Sequence, residues 1–286
     1  MATPTVRRLQ LGNEMRHVRI KAGREQAEAA DALDAGIGKI SRLELGQGGI
    51  SKGDLKLLLE FYEVDPDEMQ WMFELAKTRS SRGRWGDYRA VFPEWFRMYV
   101  DLETDAEEIR QVKGEIVPGI LQTEGYIRAM DTSSARRESE DIDANVAARQ
   151  ERQAILTRDE PPTASFLLSE SCLRRRVGTP EVMRDQLDHL AEMALQHNIN
   201  VQVLPFDVEA PPGGTSYGFT MLRIPSNGIA APLEFVYVEC LDDARYLDAK
   251  DAVLAYARLW DQLQAASLSP KDSLKVLRSV RNQYSE

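Results

Sequence analysis

Apolar residues recur at helical spacing through the first eighty positions of the chain. Leu11, Met15, Val18 and Ala22 fall at i, i+4, i+7 and i+11, the stripe of an amphipathic helix that Gly23 ends. A second helix is predicted from about Arg24 to Leu33, and a third from about Ile37 to Leu45, closed by Gly46. Ser51 caps a fourth helix carrying Leu55, Leu58, Leu59 and Tyr62. Asp65-Pro66-Asp67-Glu68 combines a cap, a proline at the first helical position and acids near the positive end of the helix dipole. It opens a fifth helix with Met69, Met72, Phe73 and Ala76.

The stretch 77–84 is basic and polar with no apolar period, and reads as a linker. Beyond it the texture changes. Helices are expected over Glu94–Arg110, Ala144–Leu156, from Thr179-Pro180-Glu181 onward, and over Ala249–Ala266 and Pro270–Val280. Short strands are expected at Ser165–Leu168, Val201–Pro205, Phe219–Ile224 and Leu233–Glu239, the last two joined through Pro225-Ser-Asn-Gly. Helices and strands in this irregular order predict an α+β protein: an all-α five-helix domain over 1–76, the linker 77–84, and a larger mixed α/β domain over 85–286.

Charge separates the two parts. The chain has 36 Lys+Arg and 46 Asp+Glu, a net −10. Residues 1–50 hold eight basic and six acidic residues, which leaves −12 for the remainder. A polyanion would bind the first segment, while the acidic remainder repels it. No apolar run approaches the roughly 18 residues of a membrane span, and the N-terminus lacks the apolar core of a secretory signal, so a cytoplasmic protein without membrane contact is expected. Cys172 and Cys240 stand in no metal-binding or redox spacing and are expected to be reduced, partly buried thiols.

The second and third helices have the requirements of a helix-turn-helix. A helix that reads DNA lies in a groove about 12 Å wide, steadied by a second helix crossing it. Ala30 supplies the small residue such a crossing needs. Asp34 stands at the tight turn, where a positive φ is expected and Asp tolerates it better than most residues. Ile40 and Leu43 bury one face of the third helix and direct Lys39, Ser41 and Arg42 elsewhere.

Residues 11–46, ending in Ile40-Ser-Arg-Leu-Glu-x-Gly46, resemble the Cro/C1-type (XRE) helix-turn-helix without a gap. The resemblance implies that Ile37–Leu45 is the recognition helix and that Gln26 touches phosphate. The DNA-contacting candidates are Gln26, Ile37, Gly38, Lys39, Ser41, Arg42 and Gln47. Gly36, Ile37 and Gly38 depart from the polar residues usual there, which narrows base readout: Ile37 fits a thymine methyl, and Gly38 offers no side chain.

The remainder carries further spaced motifs: Val117-Pro-Gly-Ile-Leu-Gln-Thr123, Ala148-Arg149-x-x-Arg152-Gln153, Leu168-x-Glu170, Val203-Leu-Pro-Phe206 and Tyr237-x-Glu239. With the helix-turn-helix they make the chain similar to actinomycete regulators called WhiJ-like or Scr1-like. That resemblance implies transcriptional control, a repressor on double-stranded DNA, and a small acidic protein partner in an antitoxin-like arrangement. One recognition helix with two glycines near its start offers too few base contacts for a long site, so a homodimer on a pseudo-palindromic site is expected. A small-molecule effector is the other candidate regulator. An antitoxin-like interaction module with a degenerate helix-turn-helix is the alternative.

Several side chains admit two readings. Trp85, Tyr88, Phe92, Trp95, Phe96 and Tyr99 suit a ligand groove, though packing between domains is favoured. Pro118-Gly119 reads as a rigid turn before a binding loop. Arg149, Arg152 and Gln153 could bind an acid; internal ion pairs with Glu170 and Glu239 are favoured. Residues 209–218 read as an ordinary loop ahead of a lid. His189 and His197 lie eight apart, no nucleophile elbow or phosphate loop is present, and no enzymatic activity, cofactor or metal is expected.

Overall fold

A computed structural model describes residues 2–77, 91–133, 142–209 and 218–284. The chain divides into two compact units. The first comprises Met1–Asp87, Asp101–Asp105 and Ile224–Leu233, and the second Tyr88–Val100, Ala106–Arg223 and Glu234–Glu286.

In the first unit, α1 spans Pro4–Lys21, α2 Gln26–Ala32, α3 Ile37–Glu44, α4 Lys52–Phe61 and α5 Pro66–Ala76. The five helices expected from the apolar period are all present. α1 begins seven residues before the first residue of its predicted stripe, because Thr3 accepts from the Val6 N–H and Pro4 occupies the first turn. Ser51 and Asp65 cap α4 and α5 by accepting from the Asp54 and Asp67 N–H groups. The stripes converge on one core of Leu11, Met15, Val18, Ile40, Leu43, Leu55, Leu58, Leu59 and Met72 among others. Burial of each such side chain stabilises by about 1.5–3 kcal/mol. The start of α1 is held by Asp105, which accepts from the Thr3 N–H at 2.6 Å, and by Asp101, which accepts from the Thr5 hydroxyl at 2.6 Å. Burial pushes the Asp105 carboxyl above its usual range.

The second unit is built on a six-stranded mixed sheet. α6 (Glu94–Asp105), whose residues from Asp101 on belong to the first unit, precedes β1 (Glu108–Lys113), α7 (Glu124–Ser133), α8 (Ile142–Gln153), β2 (Thr163–Ser169), α9 (Glu170–Arg174), α10 (Pro180–Met193), β3 (Ile199–Leu204), β4 (Phe219–Ile224), β5 (Leu233–Glu239), β6 (Ala244–Leu247), α11 (Lys250–Ala266) and α12 (Pro270–Gln283). The strand order is β3-β2-β1-β4-β5-β6. β1, β2 and β3 run parallel through helical crossovers, and β4 is antiparallel to β1.

This corrects the expectation of a helix over Glu94–Arg110. The helix stops at Asp105 and the chain enters β1, whose Gln111 is buried opposite Thr220 and donates to its hydroxyl at 2.9 Å. The four expected strands are present with small shifts of their ends; β1 and β6 were not foreseen, nor were α7 and α9. One face of the sheet packs Val112, Leu167, Phe219 and Val236 under Val253, Trp260 and Leu263 of α11. At the edge of the sheet β3 meets α12, and the Val203 N–H donates to the Ser273 hydroxyl at 2.9 Å.

Cys172 is buried and its thiol is pushed up to about 12 by burial, whereas Cys240 is exposed; the expectation of two partly buried thiols is corrected at both. Among the described residues no helix is long and apolar enough to cross a membrane.

Candidate nucleic-acid interface

The interface is built from α2, its turn and α3. Ala29 and Ala30 are fully buried where α2 meets the core, and Asp34 takes the left-handed conformation at φ 46°, as the sequence required of the turn. Ile40 and Leu43 anchor the inner face of α3 at 1% and 3% exposure. A second close approach lies between α1 and α3. A Cβ at Gly12 would stand 2.6 Å from the carbonyl oxygens of both Leu43 and Glu44, so only glycine lets α3 lie this near.

With that frame set, the outer face follows. Ile37 is 53% exposed and stands free at the start of α3, beside exposed Gly38. Arg42 is exposed one turn on, and a Cβ at position 38 would lie 3.3 Å from its guanidinium, so glycine leaves Arg42 room to run along the helix. Ser41 is partly exposed, and Gln47 is exposed just past Gly46. Leu45, at 50% exposure, adds an apolar side chain that sequence reasoning did not single out.

Two candidates are engaged inside the domain. Lys39 Nζ lies 2.7 Å from Asp54 at the start of α4, and that ammonium holds the Asp54 carboxyl below its usual range. Gln26 Nε2 donates to Glu44 Oε2 at 2.8 Å. Glu44 is buried and also takes two hydrogen bonds from Arg19, Nε to Oε1 at 2.6 Å and NH2 to Oε2 at 3.0 Å. The same guanidinium donates to the Arg24 carbonyl at 2.7 Å, and Arg24 stacks over Phe61 at 4.6 Å. The Glu44 hydrogen bond drives the Arg19 pKa up, against the burial that would lower it. At the start of α2, Glu25 and Glu28 form a reciprocal capping box.

Two family models match the chain. Residues 10–72 match a helix-turn-helix domain, and residues 96–279, well over half of the chain, match a domain of unknown function, DUF5753. The chain belongs to the DUF5753 family. The helix-turn-helix match makes its N-terminal part a DNA-binding regulator domain. The comparisons with curated proteins and with solved structures return no match.

Within the DUF5753 segment the motif residues are mostly structural. Pro118-Gly119 opens a single 3-10 turn, Gly119–Leu121, whose Gly119 carbonyl accepts from Gln153 at 3.1 Å. Gln122 donates to the Val117 carbonyl, Gln186 to the Leu121 carbonyl, and the Thr123 N–H donates to Gln186. The expected pairing of Arg149 and Arg152 with Glu170 and Glu239 is corrected. Glu170 pairs with Arg174 at 2.6 Å, and Glu239 with Lys113 at 3.6 Å. Arg152 instead lays its guanidinium over Phe96 and Tyr99, at 5.1 and 5.3 Å, and Arg149 donates to Gln122 at 2.9 Å. Phe92 and Tyr99 are buried, and Tyr99 meets Tyr237 at 4.3 Å between ring centroids. Burial drives the Tyr237 hydroxyl far above its ordinary pKa. Trp85, Tyr88 and positions 78–84 of the expected linker lie outside the described residues, as do 210–217 of the expected loop.

Proposed function

We propose that this chain is a sequence-specific transcription regulator that binds double-stranded DNA as a homodimer and acts as a repressor. The reading is carried by the outer face of α3. Ile37, Ser41 and Arg42, with Gln47 beyond them, stand on a helix fixed from behind by Ile40 and Leu43 and turned by Asp34. Ile37 is assigned to thymine methyl contact and Arg42 to guanine or phosphate. The XRE and WhiJ-like or Scr1-like resemblance supports a cytoplasmic actinomycete regulator. In this reading the DUF5753 domain is a non-catalytic receiver for a small acidic protein or a small-molecule effector. A receiver that lowers DNA affinity 100-fold must prefer the DNA-free form by about 2.7 kcal/mol, within the usual range of coupled sites.

The alternative, an antitoxin-like interaction module with little DNA binding of its own, draws support from Lys39 and Gln26, both held by acids of the domain itself. A gel shift of the full chain on its own promoter fragment separates the two. The regulator reading expects a shift that weakens tenfold or more between about 50 and 200 mM salt, through counterion release. No shift at either salt supports the interaction module.

A further inference from the structure

We propose that Glu14 is a positioning residue for DNA reading, and that the connection 225–231 is the segment through which the DUF5753 part of the chain acts on the recognition helix. This deepens the regulator reading above and rests on it. The connection joins β4 to β5, inside the DUF5753 match and outside the helix-turn-helix match, yet it belongs to the first compact unit.

α1 is held on two nearly opposite faces. On one, Gln10, Asn13 and Glu14 fall at i, i+3 and i+4 and reach the connection together. Gln10 Nε2 donates to the Pro225 carbonyl and Asn13 Nδ2 to that of Ala231. The Glu14 carboxylate accepts from the Ser226 hydroxyl and from the N–H groups of Ile229 and Ala230. On the other face Gly12 lies against the Leu43 and Glu44 carbonyls, and a Cβ on Gly46 would stand 2.9 Å from Leu9 Cα. Arg19, on the same face, holds the buried Glu44. Backbone rests on backbone there, with no flexible side chain between to absorb a displacement. α1 and the end of α3 therefore move as one body, and a shift of the connection, carried by Glu14, reaches Arg42 and Gln47. The grip is also incomplete. Gln10 is 8% exposed, and its Oε1 has no hydrogen-bond partner among the described residues. A buried acceptor left unmade disfavours this arrangement against others, as a contact with two states requires.

The test alters only the connection, in the full chain. Ser226→Ala removes one donor to Glu14, and Gly228→Ala drives a Cβ into its carboxylate. Each should weaken binding to the promoter fragment about three- to tenfold, the range over which residues away from a binding site alter it. Ser226→Thr keeps the hydroxyl and should bind as wild type does. Gel shifts are run below the melting transition of each variant, so that loss of folded protein does not enter. Amide hydrogen exchange reads the same coupling without DNA. Residues 37–46 should exchange faster in Ser226→Ala and Gly228→Ala, while α4 keeps its wild-type rates. Wild-type exchange over 37–46 in both variants overturns the proposal, as does faster exchange spread equally over α4. A wild-type chain that shifts no DNA, with α3 exchange that still responds, removes the regulator and keeps the coupling. DNA affinity that ignores both variants removes the coupling and keeps the regulator.

Discussion

The carboxylate of Glu14 accepts a hydrogen bond from the backbone N–H of Ala230, 3.0 Å away and 216 positions along the chain. Ser226 donates its hydroxyl to the same carboxylate at 2.9 Å, and the Ile229 N–H does so at 3.2 Å. Two more side chains on this face of α1 reach the same connection: Gln10 donates to the Pro225 carbonyl and Asn13 to the Ala231 carbonyl, each at 2.9 Å. The first helix of the helix-turn-helix domain thus holds a segment that lies inside the DUF5753 match, and both belong to the first compact unit.

Glu14→Ala should destabilise that unit by about 1–3 kcal/mol, since it leaves one buried and two part-buried donors without their charged acceptor. Gly228→Ala should act in the same direction, because a Cβ there would stand 2.1 Å from Glu14 Oε1 and push the carboxylate off its donors. Thermal unfolding reads both. Unchanged melting in both variants would mean that the contact contributes nothing.

For DNA, Lys39 must leave Asp54 before it can reach a phosphate. Asp54→Asn should therefore tighten binding a few-fold at low salt, and adding Lys39→Ala should abolish the gain. The pair is half-exposed, so its loss should change stability by about 1 kcal/mol or less. Arg42→Ala should cost about tenfold in affinity, within the 1–3 kcal/mol of a base contact. Wild-type gel shifts for Arg42→Ala would move the reading face away from α3.

Arg19 and Glu44 form a buried bidentate pair with side chains 10% and 4% exposed. Arg19→Ala should cost about 3–5 kcal/mol by leaving the Glu44 carboxylate buried without its cation. Glu44→Gln keeps an acceptor for Gln26 and should cost less. Denaturant midpoints rank the two, and the reverse order would show that the pair is not what holds α3 to α1.

His189 gives the fold a pH dependence. Burial lowers its pKa from the ordinary 6.5, with Glu192 opposing. Below pH 6.5 the unfolded chain binds a proton that the folded chain resists. The contribution to stability is thus complete above pH 6.5 and is lost as pH falls through the depressed folded value. His189→Gln should flatten that part of the stability curve. Parallel curves for wild type and variant between pH 7 and 5 would exclude the effect.

The elements that repeat a simple period were legible without the fold. Three apolar stripes, the Asp65-Pro66 cap and Ser51 define most of the N-terminal helices, and the demand for positive φ at Asp34 followed from the turn alone. The outer residues of α3 were legible for the same reason: once Ile40 and Leu43 point inward, helical geometry directs Arg42 out. Strand β1 was not legible. Glu108 and Arg110 fell at the end of the helix expected over Glu94–Arg110, and the partners that bury Gln111 lie at Phe166 and Thr220.

The sequence by itself determined where chain-local physics acts: helix periods, caps, the turn of the helix-turn-helix, and the basic bias of its first fifty residues. The tertiary structure decided the fate of several polar side chains. Gln10 and Glu14 sit between apolar positions of α1 and look like surface residues, yet they are 8% and 1% exposed. Gln26 and Lys39 look free for DNA and are held by Glu44 and Asp54. Arg152 looks ready for Glu170 or Glu239 and lies over the Phe96 and Tyr99 rings. A polar group accepts whichever partner the fold brings within about 3 Å, and that partner can be two hundred residues away, where no local pattern registers it.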